Sequence, residues 1–489
     1  MKLISHFYFI LFLLIQTSCI TDIVTIEFGA VLYGKVTNSE NGQPIKGVVI
    51  SDGYSTSITD IDGYYSLKAH VDARHVFYSV PSEYEITLSE GYPNFFKSIN
   101  PSLDSLETNF ELVRLQNGIE NKFTLLFVAD PQIYDDKALK RHLDETIPDI
   151  TNEYKNVKNI YGITLGDIVS DTPEYFGDMK QSFISTGIPF FHTIGNHDFL
   201  EDIENPISSM KAFENHFGPV NYSFNRGNAH IIVMSNMIYK GNRSYDLGLT
   251  NEQMMWLKSD LKHVTKDKML IICMHVPIQN DKRFNPRNEF FELIKNYNEV
   301  HIFTGHNHQN TKYWHEEYQI FEHTIAASSG MWWVGTVNKC GTPNGYSVFE
   351  IENNKMKNWY YKPTNYSKDY QIRMYAPNTF GDTEGYLVAN VWNADHNWKV
   401  ELIENGVNRG TMERYRDYDP GTYSYLKSTN RIEPGNDNAS LWYVKTNHLY
   451  RIKPNDLNGD FLIRATDSFG NVYILDKPEE NINKFRRYN

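Results

Sequence analysis

The chain contains the stretch Ile163-Thr164-Leu165-Gly166-Asp167-Ile168-Val169-Ser170-Asp171, in which a short apolar run leads directly into a glycine and an aspartate. The same arrangement recurs along the chain, because other apolar runs lead into Asp130-Pro131-Gln132, Gly195-Asn196-His197-Asp198, His275 and Gly305-His306-Asn307-His308. Compact apolar runs of this length are typical of strands buried on both faces of a sheet. Open α/β sheets place their ligands outside the carboxyl ends of the strands. The pattern therefore predicts an α/β domain with a polar cluster at one edge of its sheets.

Helical patterns separate several of these predicted strands. Thr250-Asn251-Glu252-Gln253 has the sequence of a capping box, and Met254, Leu257 and Leu261 then recur on one helix face. Strands that alternate with helices in this way indicate a layered α/β domain.

The side chains at the predicted strand ends are carboxylates, amides and imidazoles, which divalent cations use as ligands in proteins. An isolated aspartate after a strand is usually a cap or a turn residue, and an isolated histidine usually belongs to the core or the surface. The occurrence of all these segments in one predicted domain favours metal binding instead. Two cations held close together could activate water against a phosphoester.

Regions with β-type alternation precede and follow this α/β region. Residues 24–116 carry short alternating runs and turn sequences, and they resemble the regulatory-like β-sandwich appended to carboxypeptidases and many exported bacterial proteins. Strand-like runs return after about residue 342, for example at Lys399-Val400-Glu401-Leu402-Ile403-Glu404. A chain of 489 residues is too long for a single core, so we expect about three domains.

The composition is that of an ordinary globular protein, with 40% hydrophobic and 22% charged residues. The formal net charge of −13 argues against a protein that binds nucleic-acid duplexes, which would normally present a basic surface. Aromatic residues are abundant, with 33 Tyr and 28 Phe. We expect them mainly to fill cores and cross-strand pairs, with stacking on a sugar or a base as the alternative.

The first residues have the pattern of a secretory signal peptide, which we place at 1–18. Lys2 precedes an apolar run at 7–15, which is too short to span a bilayer because about 20 residues are needed. Cys19 follows Ser18 and resembles the lipid-acceptor cysteine of bacterial lipoproteins. Two outcomes are open: a lipid anchor on Cys19, as in an outer-membrane lipoprotein, or ordinary secretion after cleavage near Ser18. Both predict an exported protein in the periplasm or at the cell surface.

The five segments at the predicted strand ends resemble, in kind and in order, the motifs of the calcineurin-like metallophosphoesterase family. The flanking regions resemble the N- and C-terminal domains of an exported bacterial branch of that family, the latter through residues 341–346, 398–401 and 446–451. The resemblance implies a four-layer α/β core, in which helices flank two packed β-sheets, with an N-terminal β-sandwich and a C-terminal β-rich domain. We place these domains at 118–341, 24–116 and 342–489, respectively.

The same resemblance implies that two divalent ions are held by seven side chains: Asp130, Gln132, Asp167, Asn196, His275, His306 and His308. Asp167 would bridge the two ions. His197 would protonate the leaving oxygen or stabilise charge in the transition state, Asp198 would orient its imidazole, and Asp171 would support them. Hydroxide bound by both metals would then attack phosphorus.

Gln132 stands where the family more commonly has a histidine. A glutamine coordinates only through its amide oxygen, which is a harder and weaker donor than imidazole. The resemblance therefore implies Mn²⁺, Fe²⁺ or Zn²⁺, and Gln132 favours Mn²⁺ or Fe²⁺ at the first position.

Three further residues follow the last motif. His323 could approach the site from its own predicted strand. Trp332 and Trp333 would form either an aromatic wall for the organic part of a substrate or part of the core.

These observations give two functional hypotheses. The first is an exported metal-dependent phosphoesterase that hydrolyses a phosphomonoester or phosphodiester of a small molecule, a lipid or a glycan. The second is a non-catalytic surface protein that binds a glycan or another ligand on the same scaffold, with Gln132 as a sign that the first metal site has decayed.

Overall fold

A computed structural model describes residues 27–381, 383–432 and 439–485 of the chain. The predicted signal peptide 1–18 and Cys19 lie outside these residues. Within the described ranges, no helix is both long and apolar enough to cross a membrane.

The N-terminal domain consists of short strands in two main sheets. Its strands are β1 (Phe28–Asn38), β2 (Val49–Ser51), β3 (Thr56–Ile58), β4 (Tyr64–His70), β5 (His75–Tyr78), β6 (Leu88–Ser89), β7 (Tyr92–Pro93), β8 (Phe96–Ser98), β9 (Ser105–Glu107) and β10 (Phe110–Leu112). One sheet has the order β10-β1-β4, with β9 also paired to β1, and the other has the order β3-β2-β5-β8. Leu32, Val36 and Ile50 are fully buried between them, as the alternating sequence predicts.

The central domain contains the predicted α/β core. Its strands are β11 (Lys122–Val128), β12 (Ile160–Leu165), β13 (Phe190–Thr193), β14 (Tyr222–Arg226), β15 (Ala229–Val233), β16 (Met237–Gly241), β17 (Ser244–Leu247), β18 (Met269–Cys273), β19 (Glu299–Thr304), β20 (Thr311–His315), β21 (Ile320–Thr324), β22 (Gly345–Glu352) and β23 (Lys355–Pro363). Its helices are α1 (Asp136–Arg141), α2 (Ile147–Tyr154), α3 (Phe176–Ser185), α4 (Pro206–Ser209), α5 (Lys211–Phe217), α6 (Asn251–Leu261) and α7 (Arg287–Ile294).

Two sheets form the core of this domain. The first core sheet has the order β13-β12-β11-β22-β23, in which β11, β12 and β13 are parallel. The second core sheet has the order β14-β15-β18-β19-β21-β20, in which β15, β18, β19 and β21 are parallel. Phe127 of the first sheet stacks on Phe303 of the second with ring centroids 3.9 Å apart. The sheets therefore pack face to face, and the predicted α/β fold with two packed sheets is confirmed.

Helix α6 begins as the sequence predicts. Thr250 and Gln253 form the reciprocal capping box, with the Thr250 hydroxyl accepting from the Gln253 N–H at 3.2 Å. Met254, Leu257 and Leu261 are buried along one face of the helix. The cap and the apolar stripe together fix the start and the orientation of α6.

The central domain extends further along the chain than predicted. Strands β22 and β23 complete the first core sheet, where β22 pairs antiparallel with β11 and aligns Leu125 with Phe349. The predicted boundary between 118–341 and 342–489 is therefore wrong, because residues 345–363 belong to the core sheet. An antiparallel hairpin of this kind has the same alternation of apolar and polar residues as the β-rich domain that follows it.

Within its described residues, the C-terminal domain has two four-stranded sheets and two helices. Its elements are β24 (Arg373–Tyr375), β25 (Leu387–Asn390), β26 (Lys399–Glu404), β27 (Val407–Thr411), β28 (Glu413–Asp417), α8 (Pro420–Ser428), α9 (Ala439–Trp442), β29 (Thr446–Ile452), β30 (Phe461–Thr466) and β31 (Val472–Leu475). The sheets have the orders β24-β25-β29-β28 and β27-β26-β30-β31.

The two outer domains pack differently. Buried apolar residues of the N-terminal domain are continuous with those of the central domain in a single cluster. At this interface the Trp256 indole N–H donates to Ser51 Oγ at 3.0 Å, and Tyr92 stacks on His192 with ring centroids 5.8 Å apart. The C-terminal domain has an apolar cluster of its own, around residues such as Leu402.

Candidate metal centre

The loops after five strands bring the predicted ligands together. Asp130, Asp167 and Asn196 follow β11, β12 and β13 of the first core sheet, and His275 and His306 follow β18 and β19 of the second. Parallel strands end at the same edge of a sheet, so each sheet presents its loops on one side. The His306 N–H donates to both carboxylate oxygens of Asp130, at 3.0 and 2.9 Å, which joins the two sets of loops.

The backbone of these loops adopts a strained conformation at most of the predicted ligands. Positive φ angles occur at Asp130 (48°), Gln132 (42°), Asp167 (50°), His306 (67°) and His308 (50°). Left-handed backbone costs roughly 1–3 kcal/mol at a non-glycine residue and persists only where the surrounding structure enforces it. Its concentration here is typical of a functional site.

Two glycines of the motifs let the loops approach each other. A Cβ atom at Gly195 would lie 2.0 Å from the backbone nitrogen of Asp167 and 2.3 Å from its Oδ1. A Cβ atom at Gly305 would lie 2.5 Å from Asp130 Oδ2. Any side chain at these two positions would push the carboxylates away from the site.

Four side chains form one half of the site: Asp167, Asn196, His275 and His306. The Nε2 atom of His275 lies 3.2 Å from Asp167 Oδ1, 3.1 Å from Asn196 Oδ1 and 3.2 Å from His306 Nδ1. Metal–ligand bonds of about 2.1 Å at tetrahedral angles place ligand atoms about 3.4 Å apart, so this spacing fits one divalent cation. The Nδ1–H of His275 donates to the Leu165 carbonyl at 2.7 Å, which directs Nε2 toward the other donors.

The other half of the site contains Asp130, Gln132 and His308. The Nδ1–H of His308 donates to the Gly330 carbonyl at 2.5 Å, which leaves Nε2 3.7 Å from Asp130 Oδ1. Gln132 Nε2–H donates to Asp167 Oδ2 at 2.9 Å. Gln132 Oε1 is buried and has no hydrogen-bond partner among the described residues. A buried acceptor without a donor fits a position beside a cation, so the donor set of this half also suits a metal ion.

The electrostatics of the site favour a positive charge at its centre. Burial raises the pKa of Asp130 to about 8, and the neighbouring Asp167 carboxylate acts in the same direction. Burial also disfavours the charge on Asp167, but His275 and His197 outweigh this effect and hold the pKa of Asp167 well below its usual range. Burial opposes protonation of His275, yet Asp167 and Asp130 raise the pKa of His275 to about 9. A divalent metal would stabilise the charged forms of these two buried carboxylates.

Asp171, rather than Asp198, holds the His197 imidazole. His197 Nδ1 lies 2.9 Å from Asp171 Oδ2. The Asp198 carboxylate instead accepts from the backbone N–H groups of Val169 at 3.1 Å and Gly195 at 2.8 Å. The prediction that Asp198 orients His197 is therefore wrong, because the Asp198 side chain turns back onto the loop backbone and braces the turn that carries Asn196.

Lys339 and Trp332 adjoin the site and were not predicted as a pair. The Trp332 ring lies against His308 with ring centroids 4.8 Å apart, and the Lys339 ammonium lies 4.9 Å from the Trp332 centroid. Among the described residues this half-buried ammonium has no hydrogen-bond or ion-pair partner, although it interacts electrostatically with Asp130. Trp442 of α9 packs edge-on against Trp332 at 5.5 Å. The site thus has one wall that combines a cation with two indole rings.

A cleft borders the opposite side of the site, beside His306. It has a volume of about 430 Å³ and is lined by residues that include Tyr245, Pro277, Arg283 and Asn307. The Tyr245 hydroxyl lies 3.3 Å from His306 Nε2. Space next to the predicted ligands is therefore available for the organic part of a ligand.

Trp333 and His323, which the sequence also singled out, occupy different places in the structure. Trp333 is buried, and its indole N–H donates to the Pro131 carbonyl at 2.7 Å, so it supports the first motif from within the core. His323 is buried with its Nε2 2.9 Å from His301 Nδ1 and stacks on Phe303 at 4.9 Å. The expectation that His323 could approach the site is wrong, because its side chain lies between the two core sheets.

Three family models match nearly the whole chain after the predicted signal peptide. The model of the calcineurin-like phosphoesterase matches residues 123–310, the model of the N terminal of calcineurin-like phosphoesterase matches 31–115, and that of its C terminal matches 322–473. The chain belongs to the calcineurin-like phosphoesterase family. The family implies a hydrolase that acts on phosphoric ester bonds with the help of divalent metals. No curated protein matches the chain.

Solved structures show a distant likeness to this family member. The NAD nucleotidase of Haemophilus influenzae has 11% sequence identity and a TM-score of 0.29, with 50% of this chain and 49% of that chain covered. The 5'-nucleotidase of Candida albicans has 13% identity and a TM-score of 0.32, with 47% and 48% covered. This chain therefore spans about half the length of these two proteins.

Proposed function

We propose that this phosphoesterase is an exported enzyme that binds two divalent cations and hydrolyses a phosphomonoester or phosphodiester of a small molecule, a lipid or a glycan. The observation that carries the proposal is the convergence of the predicted ligands on both sides of Asp167. Its Oδ1 lies 3.2 Å from His275 Nε2, and its Oδ2 accepts from Gln132 at 2.9 Å. Each oxygen of this carboxylate therefore faces a different half of the site.

The residues that would hold the two cations divide into two sets that share Asp167. The first set is Asp130, Gln132, Asp167 and His308, and the second is Asp167, Asn196, His275 and His306. Cations bound there would lower the pKa of bound water and neutralise charge on a phosphoryl group. Gln132 offers an amide oxygen, so we propose Mn²⁺ or Fe²⁺ for the first position, with Zn²⁺ as the alternative.

The chain's own residues would then handle the proton and the substrate charge. Asp171 accepts from His197 Nδ1 at 2.9 Å, which orients the ring and leaves Nε2 to serve the leaving oxygen. The backbone N–H of His197 donates to Asp167 Oδ1 at 2.9 Å, which fixes the position of His197 relative to this carboxylate. The Lys339 ammonium would contact a phosphoryl oxygen, since it lies on the Trp332 ring beside His308.

The support for export is the signal-like pattern at 1–18 with Cys19 directly after it. Expression of the full chain with a C-terminal tag, followed by mass spectrometry of the mature N terminus, tests it. Cleavage before Cys19 with a lipid mass, or cleavage near Ser18 without one, would support export, and an intact N terminus would contradict it.

The catalytic part is tested by hydrolysis of an aryl phosphate and an aryl phosphodiester in the presence of Mn²⁺. Wild-type protein should hydrolyse at least one of them, and the Asp167→Ala and His197→Ala variants should lose at least about 100-fold in kcat. Glu252→Ala, in the first turn of α6, provides a control for handling and folding. Hydrolysis that is equal in the wild type and in Asp167→Ala would contradict the assignment of the site.

A further inference from the structure

The C-terminal domain contains a second cavity, which shares no lining residue with the cleft beside His306. Its volume is about 340 Å³, within the range of roughly 300–1,000 Å³ that is typical of ligand pockets. Four tyrosines line it: Tyr386 before β25, Tyr415 in β28, Tyr418 after β28 and Tyr423 in α8. A concentration of tyrosine in one concave surface offers both ring faces and hydroxyl groups to a ligand.

Two charged residues that line this cavity, Arg451 and Asp417, already form ion pairs within the protein. Arg451 pairs with Glu413 at 2.9 Å, and Asp417 pairs with Lys445 at 3.1 Å. An ionic ligand would have to compete with these pairs. The cavity therefore favours a ligand without net charge.

The tyrosine hydroxyls are the polar groups that remain available. In the part of the chain that the structure describes, no hydrogen bond is recorded for the hydroxyl of Tyr386, Tyr415, Tyr418 or Tyr423. Each phenol can both donate and accept one or more hydrogen bonds. A ligand that carries several hydroxyl groups of its own would satisfy them, because such groups also act in both directions.

The arrangement of the rings argues against a flat aromatic ligand. The Arg451 guanidinium lies 4.8 Å from the Tyr386 centroid and 4.7 Å from the Tyr415 centroid, and Lys453 Nζ lies 4.8 Å from the Tyr386 centroid, so cations already contact these two rings. A nucleobase that stacked on these rings would have to displace the cations. A saturated ring needs only one aromatic face for its C–H groups and the surrounding hydroxyls for its edge.

We propose that this cavity is a carbohydrate-binding site that takes a neutral sugar ring. Its position connects it to the metal centre through aromatic contacts. Tyr443 packs on Tyr418 at 4.4 Å and directly follows Trp442, which contacts Trp332 beside His308 at 5.5 Å. The same segment of the C-terminal domain therefore borders both sites.

Isothermal titration calorimetry on the full chain tests this inference, with maltotetraose, chitotetraose, mannotetraose and adenosine as probes. At least one tetrasaccharide should bind, and adenosine should bind more weakly. Tyr386→Ala and Tyr423→Ala, on different walls of the cavity, should each weaken binding by about tenfold, since each removes one aromatic contact. Tyr64→Ala, at an exposed strand of the N-terminal domain, is the matched control and should bind as the wild type does.

The phenylalanine variants keep the test decisive if an alanine variant does not fold. Tyr386→Phe and Tyr423→Phe preserve the rings, and binding should weaken through loss of the hydroxyls alone. Failure of all three tetrasaccharides to bind, tighter binding of adenosine, or equal affinity in wild type and both cavity variants would overturn the proposal. Because binding is measured without hydrolysis, such a failure would leave the proposed phosphoesterase function unaffected.

Discussion

The N- and C-terminal domains of this family member differ in how they join the central domain. The N-terminal domain merges its apolar core with that of the central domain, through contacts such as that of Trp256 with Ser51. The C-terminal domain keeps a separate apolar cluster, yet it brings Trp442 against Trp332 at the edge of the metal centre. From this difference we infer that the first domain mainly stabilises the core, whereas the second mainly shapes what the site can bind.

The largest expected effect is on stability, at the N-terminal interface. Trp256 is fully buried, so Trp256→Ala removes a large side chain and should lower the free energy of unfolding by about 3–5 kcal/mol. The value of kcat/KM per folded molecule should not change, because Trp256 packs at the interface with the N-terminal domain rather than at the strand ends that carry the predicted ligands. Urea denaturation and aryl phosphate hydrolysis measure the two quantities. A large fall in kcat/KM with little loss of stability would reverse the proposed division of roles.

The pH dependence of the free energy of unfolding gives a second test of the interface between the N-terminal and central domains. Burial lowers the pKa of His192, which stacks on Tyr92 of the N-terminal domain, to about 3. Above pH 6.5 this histidine is neutral in both states, whereas at lower pH only the unfolded chain binds the proton. The free energy of unfolding should therefore fall by roughly 2–3 kcal/mol between pH 7 and pH 4.5 because of this histidine.

The loss of unfolding free energy at low pH should be smaller in a variant that has no titratable side chain at position 192. In His192→Gln the fall in unfolding free energy between pH 7 and pH 4.5 should shrink, when measured by urea denaturation at each pH. His263→Gln, at an exposed position, is the control and should retain the wild-type profile. An unchanged profile in His192→Gln would mean that this interface does not exclude the proton.

On the other side of the comparison, Lys339→Met should affect substrate rather than stability. Loss of a charged hydrogen bond to phosphate should lower kcat/KM by about 10- to 100-fold. Metal content and urea denaturation should match those of the wild type, and Lys339→Arg should recover part of the activity. Lys68→Met, an exposed lysine of the N-terminal domain, should leave all three unchanged. Wild-type kcat/KM in Lys339→Met would exclude Lys339 from substrate binding.

The smallest effect is expected at Trp442. Trp442→Ala removes a half-buried ring from the wall beside His308, so KM should rise about 3- to 10-fold and kcat should change little. Its free energy of unfolding should fall by less than that of Trp256→Ala, since this ring is only partly buried. Equal losses of stability in the two tryptophan variants, with no change in KM, would erase the proposed contrast between the domains.

The convergence of the predicted ligands could be expected from the sequence because their motifs follow compact apolar strands. Asp130, Asp167 and His275 need only the rule that parallel strands end at one edge. The choice between Asp171 and Asp198 was not predictable in this way, since it depends on which carboxylate the backbone turn after Gly195 captures. The position of Lys339 beside the site was not predicted, because Lys339 lies in a loop that does not directly follow a strand. It reaches the site only through tertiary packing.

The position of the domain boundary could not be predicted for a related reason. Strand β22 pairs with β11, which lies more than 200 residues earlier in the chain, and its alternation is the same as that of the strands after it. Sequence patterns identify a strand by its own residues, whereas sheet membership depends on a distant partner. The apolar and turn patterns therefore predicted the existence of strands well and their grouping less well.

The metal content of the protein tests the proposed two-cation centre most directly. After reconstitution with Mn²⁺ and removal of free metal by gel filtration, elemental analysis should find about two ions per wild-type chain and about one in His275→Ala. Circular dichroism of both proteins would confirm that each is folded. A wild-type chain that retains no metal, or a His275→Ala variant that retains as much as the wild type, would contradict the account.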